Sequence, residues 1–208
     1  MKKYTISLFL LVSIAIQGQT IGDIFKLMPE DMLPGVSKGT KTMLIVDSTN
    51  TAVPDIFAEI KKVSHSDDYL KIETSEIGSI QLKILPISED SSIVSFIRTV
   101  CGGSNADVCN SIITFYTLDW SVLDNKSLLP EVSPIIFMDS SMKEIDNYKY
   151  ALSLPDLNTI SATFNETDTD LTLQFHYKDR LTELQTKEFE PFLKSDTVVL
   201  KWNDSYFE

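Results

Sequence analysis

The side chains able to do chemistry in this chain are few and scattered. There are two histidines, His65 and His176. His65 sits in the polar run Ser64-His65-Ser66-Asp67-Asp68, whose residue types could supply a nucleophile, a base and an acid. A working triad is built from residues distant in sequence that converge on an oxyanion site, so adjacent polar residues read as a solvated turn. His176 alternates with Phe175 and Tyr177, on the face of Gln174 and Lys178, and reads as a surface residue. The sequence has no G-x-S-x-G, H-E-x-x-H, phosphate-loop or dinucleotide motif.

Acidic clusters are the remaining candidates. Glu166, Asp168 and Asp170 crowd the run Asn165 to Asp170, where a Ca²⁺ ion could be held. Such a cage also wants a glycine-bearing loop and a distal acidic ligand, whereas a hairpin turn needs only Asp and Asn. Asp139, Glu144 and Asp146 read as a helix cap and an exposed face. Nothing in their spacing marks two acids as a glycosidase pair. Tyr116, Trp120, Tyr148, Tyr150, Trp202, Tyr206 and Phe207 could build a glycan or peptide platform, but most occupy positions a core needs. No catalytic residue, metal ligand or cofactor is therefore expected.

Cys101 and Cys109 are the only cysteines, with Gly102-Gly103 and Asn105 between them. In an oxidising compartment this spacing reads as one disulfide pinching a loop, worth roughly 2.5 kcal/mol by loop-closure entropy. A metal pair would want further ligands nearby, and a redox pair would sit two residues apart at a helix start.

The N-terminus places the protein. Lys2-Lys3, an apolar run from Ile6 to Ile16 and Gln17-Gly18 form the three parts of a secretory signal peptide, residues 1–18, with cleavage expected near Gly18 and Gln19 as the new end. The run is shorter than the roughly 20 residues a membrane span needs, and no cysteine follows it to accept a lipid. Export to the periplasm or cell envelope follows, with no membrane span in the mature chain. The net charge of −12 becomes more negative by two once Lys2 and Lys3 are gone. A surface this acidic disfavours nucleic acid and anionic lipid and suits a protein, peptide or glycan partner.

The positioning elements follow from periodicity. Ile21, Ile24, Phe25 and Met28 have helical spacing, 54–63 opens on Pro54 and reads as a second helix, and 40–50 leans helical. Strands are expected near 69–74, 79–85, 92–100 and 110–118, where Leu70, Ile72 and Ile80, Leu82, Ile84 alternate with polar residues. The stretches 92–100 and 111–118 are apolar on both faces, as central strands are. A shift of about 80 residues lays Leu70, Ile72 and Thr74 on Tyr150, Leu152 and Leu154, which predicts a second meander near 149–154, 159–164, 170–178 and 196–202. Phe137 to Ile145 would supply its helix, capped by Asp139 or Ser140. Segment 179–195 would join the third and fourth strands, as the cysteine loop does in the first copy. The expected fold is α+β, helices packed on antiparallel sheet, as two tandem α-ββββ units (19–122 and 123–208) or one continuous domain 19–208.

The run Gln19-Thr-Ile-Gly-Asp-Ile-Phe-Lys-Leu-Met-Pro29, the entry Asp67-Asp68-Tyr69-Leu70, Leu82 to Pro86, Phe115 to Trp120, and the ending Leu200-Lys-Trp202 to Phe207 carry a resemblance. On them the chain resembles an uncharacterised family of exported Bacteroidales proteins, defined only as a domain of unknown function. That resemblance implies export and no transferable catalytic residue. The tandem architecture is also similar to that of exported inhibitors such as the β-lactamase inhibitor protein, although fold does not fix function. Two functions compete: a non-enzymatic binding domain, or a periplasmic hydrolase using an unidentified carboxylate pair. A deep pocket with two carboxylates of raised pKa would favour the second, and a broad apolar or aromatic surface the first.

Overall fold

The structure is a computed structural model that describes residues 18–46, 52–54, 59–103, 108–154 and 159–208. The signal segment, apart from Gly18, lies outside the described residues, as do Ile56, Phe57 and Asn105.

Helix α1 (Ile21–Leu27) starts where Thr20 accepts a hydrogen bond from the Asp23 N–H (3.3 Å) and returns one from its hydroxyl to Asp23 Oδ2 (2.8 Å). It buries Ile21, Ile24 and Phe25, the expected stripe. The leaning towards helix for 40–50 holds over its described part, in α2 (Lys38–Val46). The two helices touch at Gly22, where a Cβ would come within 2.8 Å of Ile45 Cγ2, so a larger residue there would have to push the Ile45 side chain aside.

Beneath the helices lies a six-stranded antiparallel meander: β1 (Ala52–Pro54), β2 (Glu59–His65), β3 (Tyr69–Glu73), β4 (Gly78–Ser88), β5 (Ser91–Gly102) and β6 (Val108–Tyr116). The helix expected over 54–63 is replaced by strand over its described part. Lys61 and Lys62 pair with Glu73 and Ile72, and β-branched Ile60 alone of its neighbours turns into the core, a period of two that the proline-led helix reading missed.

The rest of the chain forms a three-stranded antiparallel sheet of β7 (Ile160–Phe164), β8 (Leu171–Phe175) and β9 (Thr197–Leu200). Two helices accompany it, α3 (Tyr148–Ser153) before β7 and α4 (Glu183–Phe189) between β8 and β9. The fold is α+β, as expected, but the second unit holds three strands where four were predicted. Residues 149–153 belong to a helix because Tyr148 and Ala151, one turn apart, are the pair that reaches the core, and Tyr150 points to solvent. Tyr150, Leu152 and Leu154 therefore do not match Leu70, Ile72 and Thr74. The helix expected from Phe137 to Ile145 is reduced to two short 3₁₀ turns, Pro134–Phe137 and Ser140–Met142, because Met138 between them is held extended against Leu193. Asp139 does cap the second, accepting from the Ser141 N–H at 2.9 Å. Both tryptophans lie beyond the strand ends: Trp120 in a turn at φ 69° and Trp202 in a bridge to Phe207.

The central strands of the large sheet, β4 and β5, are buried on both faces. Ile80, Leu82, Val94 and Phe96 face α1 and α2, and Trp120 Nε1 donates to Ile24 O (3.1 Å) to tie α1 to the chain beyond β6. Leu85, Ile93, Ile97, Ile113 and Phe115 face the second sheet in a core shared by both halves of the chain. Four polar side chains of that second face are also buried among the described residues: Gln81, Lys83, Ser95 and Thr99. Gln81 Oε1 accepts from Tyr69 Oη (3.1 Å), Thr163 Oγ1 (3.0 Å) and the Phe164 N–H (3.1 Å), and Gln81 Nε2 donates to Ala162 O (3.3 Å). Lys83 Nζ pairs with Asp68 Oδ2 (2.9 Å) and donates to Glu166 O (3.1 Å). The Ser95 hydroxyl is buried with no hydrogen-bond partner.

Replacing Gln81 by leucine should cost about 2–3 kcal/mol in denaturant unfolding, since it strands the Phe164 N–H and Ala162 C=O in the core. A variant as stable as wild type would show that β7 is held by apolar packing alone. Burial, aided by the Glu166 charge, pushes the Tyr69 hydroxyl up to about 12, and burial with the Glu190 charge does the same to Tyr177. Both raised values favour the neutral phenol in the folded state, so their contribution is complete below pH 10 and is lost as pH rises through 12. Stability measured across that window should fall, less steeply in Tyr69→Phe; an identical fall in that variant would remove Tyr69 from the account.

Candidate functional site: a cleft at the open edge of β6

Among the described residues, strand β6 is paired in the sheet with β5 alone. On its other side, the chain folds back after Trp120 and covers only the C-terminal half. Leu123 N–H donates to Phe115 O (2.9 Å), and Val122 bridges Tyr116. Asn125 then imitates a strand with its side chain: Nδ2 donates to Ile113 O (2.7 Å) and Oδ1 accepts from the Phe115 N–H (3.4 Å). Asp124 caps a 3₁₀ turn, Asn125–Ser127, that carries the chain away from the edge. Where it departs, a cleft of about 580 Å³ opens between β6 and the segment 125–132. Ile113, Leu129, Val132 and Ile160 make its wall apolar, and Lys126 and Glu131 stand at its exposed margin.

The Cys101–Cys109 disulfide closes the far end of this edge. The two residues are directly opposite in the β5–β6 ladder, with Cα atoms 3.9 Å apart, and neither cysteine is free. The bond fixes the strand at the point where it has lost the cover of segment 122–125.

The other candidates do not assemble into a reaction centre. His65 lies on β2, outside any grouping with Ser64 or Asp67; burial beside Gly22, and then the Lys62 ammonium, lower its pKa and favour neutral imidazole. His176 is not the plain surface residue expected, since antiparallel pairing brings Ser161 Oγ to 2.8 Å from its Nε2. A Ser–His hydrogen bond is half of a nucleophile's activation, and the other half is an oxyanion site. Here the Ser161 N–H points into the β7–β8 ladder and the following N–H, of Ala162, is taken by Ser111 Oγ at 2.9 Å. Both backbone donors beside the hydroxyl are committed.

The acids of the 165–170 turn satisfy one another: Asn165 Nδ2 donates to Asp168 Oδ2 (2.7 Å), Asp168 Oδ1 accepts from the Asp170 N–H (2.8 Å), and Lys201 pairs with Asp170. Among the described residues no three His, Cys, Asp or Glu side chains are grouped to hold a metal. Hydrogen bonds from Lys26, Thr117 and Ser141 hold Asp23, Asp119 and Asp139 below the usual carboxylate range, opposite to what a general acid needs. The aromatic platform is mostly core: Trp120, Tyr148 and Phe207 are buried, and Tyr150 and Tyr206 are exposed.

The chain matches the family "Protein of unknown function (DUF3256)" over residues 13–207 and belongs to it. It is also similar, at 21% identity and a TM-score of 0.74, to the structure of a domain of an uncharacterized protein from Porphyromonas gingivalis, over 90% of this chain and 96% of that one. The likeness at this identity concerns the fold. Comparison with curated proteins finds no match.

Because the disulfide anchors the uncovered end of β6, the double variant Cys101→Ser, Cys109→Ser should lose about 2–3 kcal/mol of stability. Its loss should appear first as faster amide exchange at Val108 and Asn110, whose N–H groups face β5 on either side of the disulfide. Exchange spread evenly over the whole sheet would deny the disulfide a local role at the cleft.

Proposed function

We propose that this protein is an exported, non-enzymatic binding domain that takes a protein, peptide or glycan ligand in the cleft beside β6. The carrying observation is the juxtaposition of an apolar wall with an uncovered strand edge in one cleft of about 580 Å³, the form that small recognition sites take. The hydrolase alternative would need a free nucleophile or a carboxylate pair inside such a cleft; the lining of this one holds a single carboxylate, Glu131, and its one hydroxyl, Ser111 Oγ, is bonded to Thr99 and the Ala162 N–H. Export to the periplasm or envelope is supported by the charged, apolar and small-residue order of residues 1–18 and by a disulfide of the kind that persists in oxidising compartments. Among the described residues no helix is long and apolar enough to cross a membrane. The core that joins both halves supports treating 19–208 as one folding unit.

Cross-linking capture from the native envelope, run in parallel with wild type and with Val132→Trp, tests this reading. A partner captured by wild type should fall at least about tenfold when tryptophan fills the cleft, and the recovered chain should begin at Gln19 or within a residue or two. Equal capture by the filled variant overturns the cleft as the site, and an intact Met1 end overturns export.

A further inference from the structure

Resting on the cleft as the binding site, the geometry points to an extended polypeptide as its ligand: we propose that a net-basic segment of a partner protein adds as a strand to β6 along Cys109 to Ile113. Three observations converge on this. The first is the direction of the backbone groups. Ile113 O and the Phe115 N–H and C=O point away from β5, since Asn125 and Leu123 bond them there. The β5–β6 register runs without a bulge from Tyr116 to Val108, so Ser111 and Cys109, two and four residues back, point the same way. Among the described residues no hydrogen bond reaches the main-chain N–H or C=O of either. A row of donors and acceptors at strand spacing is matched by another extended main chain.

The second observation is that the chain already makes this interaction with itself. Residues 122–125 lie antiparallel on β6 at Phe115 and Tyr116, and the cleft begins where they turn away at Asn125. An incoming strand continues the same line towards the disulfide.

The third is what its side chains would meet. Alternate residues on one side enter the cleft, against Ile113, Leu129, Val132 and Ile160. Those on the other side lie over Ile112, an apolar side chain left 63% exposed. Apolar residues are thus accommodated on both faces. The net charge of −12 selects basic flanking residues, and it disfavours a second copy of this equally acidic chain.

The test is selection of random nonapeptides displayed on phage against the full mature chain, with the enriched peptides then synthesised. They should carry Lys or Arg and alternating apolar residues, and should slow amide exchange at Cys109 and Ser111. N-methylation of alternate peptide nitrogens should weaken binding by about tenfold or more, the effect of losing one or two main-chain hydrogen bonds. Peptides that bind and are lost in Val132→Trp, yet tolerate N-methylation and leave those two amides unchanged, overturn strand addition and leave the cleft reading standing. Peptides indifferent to Val132→Trp overturn both. No peptide enrichment, or concentration-dependent dimerisation that protects the same amides, also overturns the proposal, the latter by assigning the edge to a second copy. A glycan ligand displaced by Val132→Trp would preserve the site and refute the polypeptide.

Discussion

The two sheets can share a core only because Gln81 and Ser111 replace a missing strand. β7 has β8 on one side, and its other edge lies against the face of the large sheet, where no water can satisfy it. Ala162 N–H is met by Ser111 Oγ, and Ala162 O and the Phe164 N–H by the Gln81 amide. Each backbone group left unpaired there would cost about 1–3 kcal/mol, against a total stability for a domain of about 5–15 kcal/mol. Lys83 extends the seam by one strand position, reaching Glu166 O at the end of β7 and Asp68 at the start of β3. These contacts are specific in register, because moving β7 by one residue would turn Ala162 and Phe164 away from the amide that serves them.

The same seam explains what was legible beforehand. The alternation of Ile80, Leu82 and Ile84 located β4 and its inner face correctly, and of the two doubly apolar stretches, 92–100 proved to be a strand covered on both sides whereas 111–118 falls mostly in the edge strand β6, with Ile112 exposed. Gln81 and Lys83, however, alternate with those residues just as solvent-facing residues do. Period-two patterning separates the faces of a strand without saying what covers the polar one. Leu85 and Ile87, in the same row, were the available signal that this face was also buried. The helix at 148–153 escaped for a related reason. Leucine and tyrosine at alternate places imitate a strand, and the edge a strand would have paired with is already satisfied by side chains from the large sheet. Over the described part of 54–63 the error ran the other way, with the proline-led helix reading overruled by pairing to β3.

The cleft was not legible, since it is assembled from β6, the segment 125–132 and Ile160, none of which carries a motif. Asn125 was its best marker. An asparagine shortly after a strand, followed by a turn and Pro130, is a residue able to bond an edge and then release it. The Ser161–His176 contact was hidden by a separation of 15 residues, which only the β7–β8 register brings together.

Edge strands invite unwanted pairing, and natural proteins shorten, bend or cover them. This chain does so at most of its edges. β1 has three residues and ends in Pro54, β7 is sealed by Gln81 and Ser111, and the upper half of β6 is covered by residues 122–125. Among the described residues the lower half of β6 departs from that pattern, because the covering segment turns off at Asn125 and the disulfide ties the strand to β5 only at its far end. A disulfide placed to stabilise the core would serve equally well in the buried middle of the sheet. At the end of an uncovered edge it does something else: it keeps two residues of main chain extended and ready, so that a ligand strand does not have to order them on arrival.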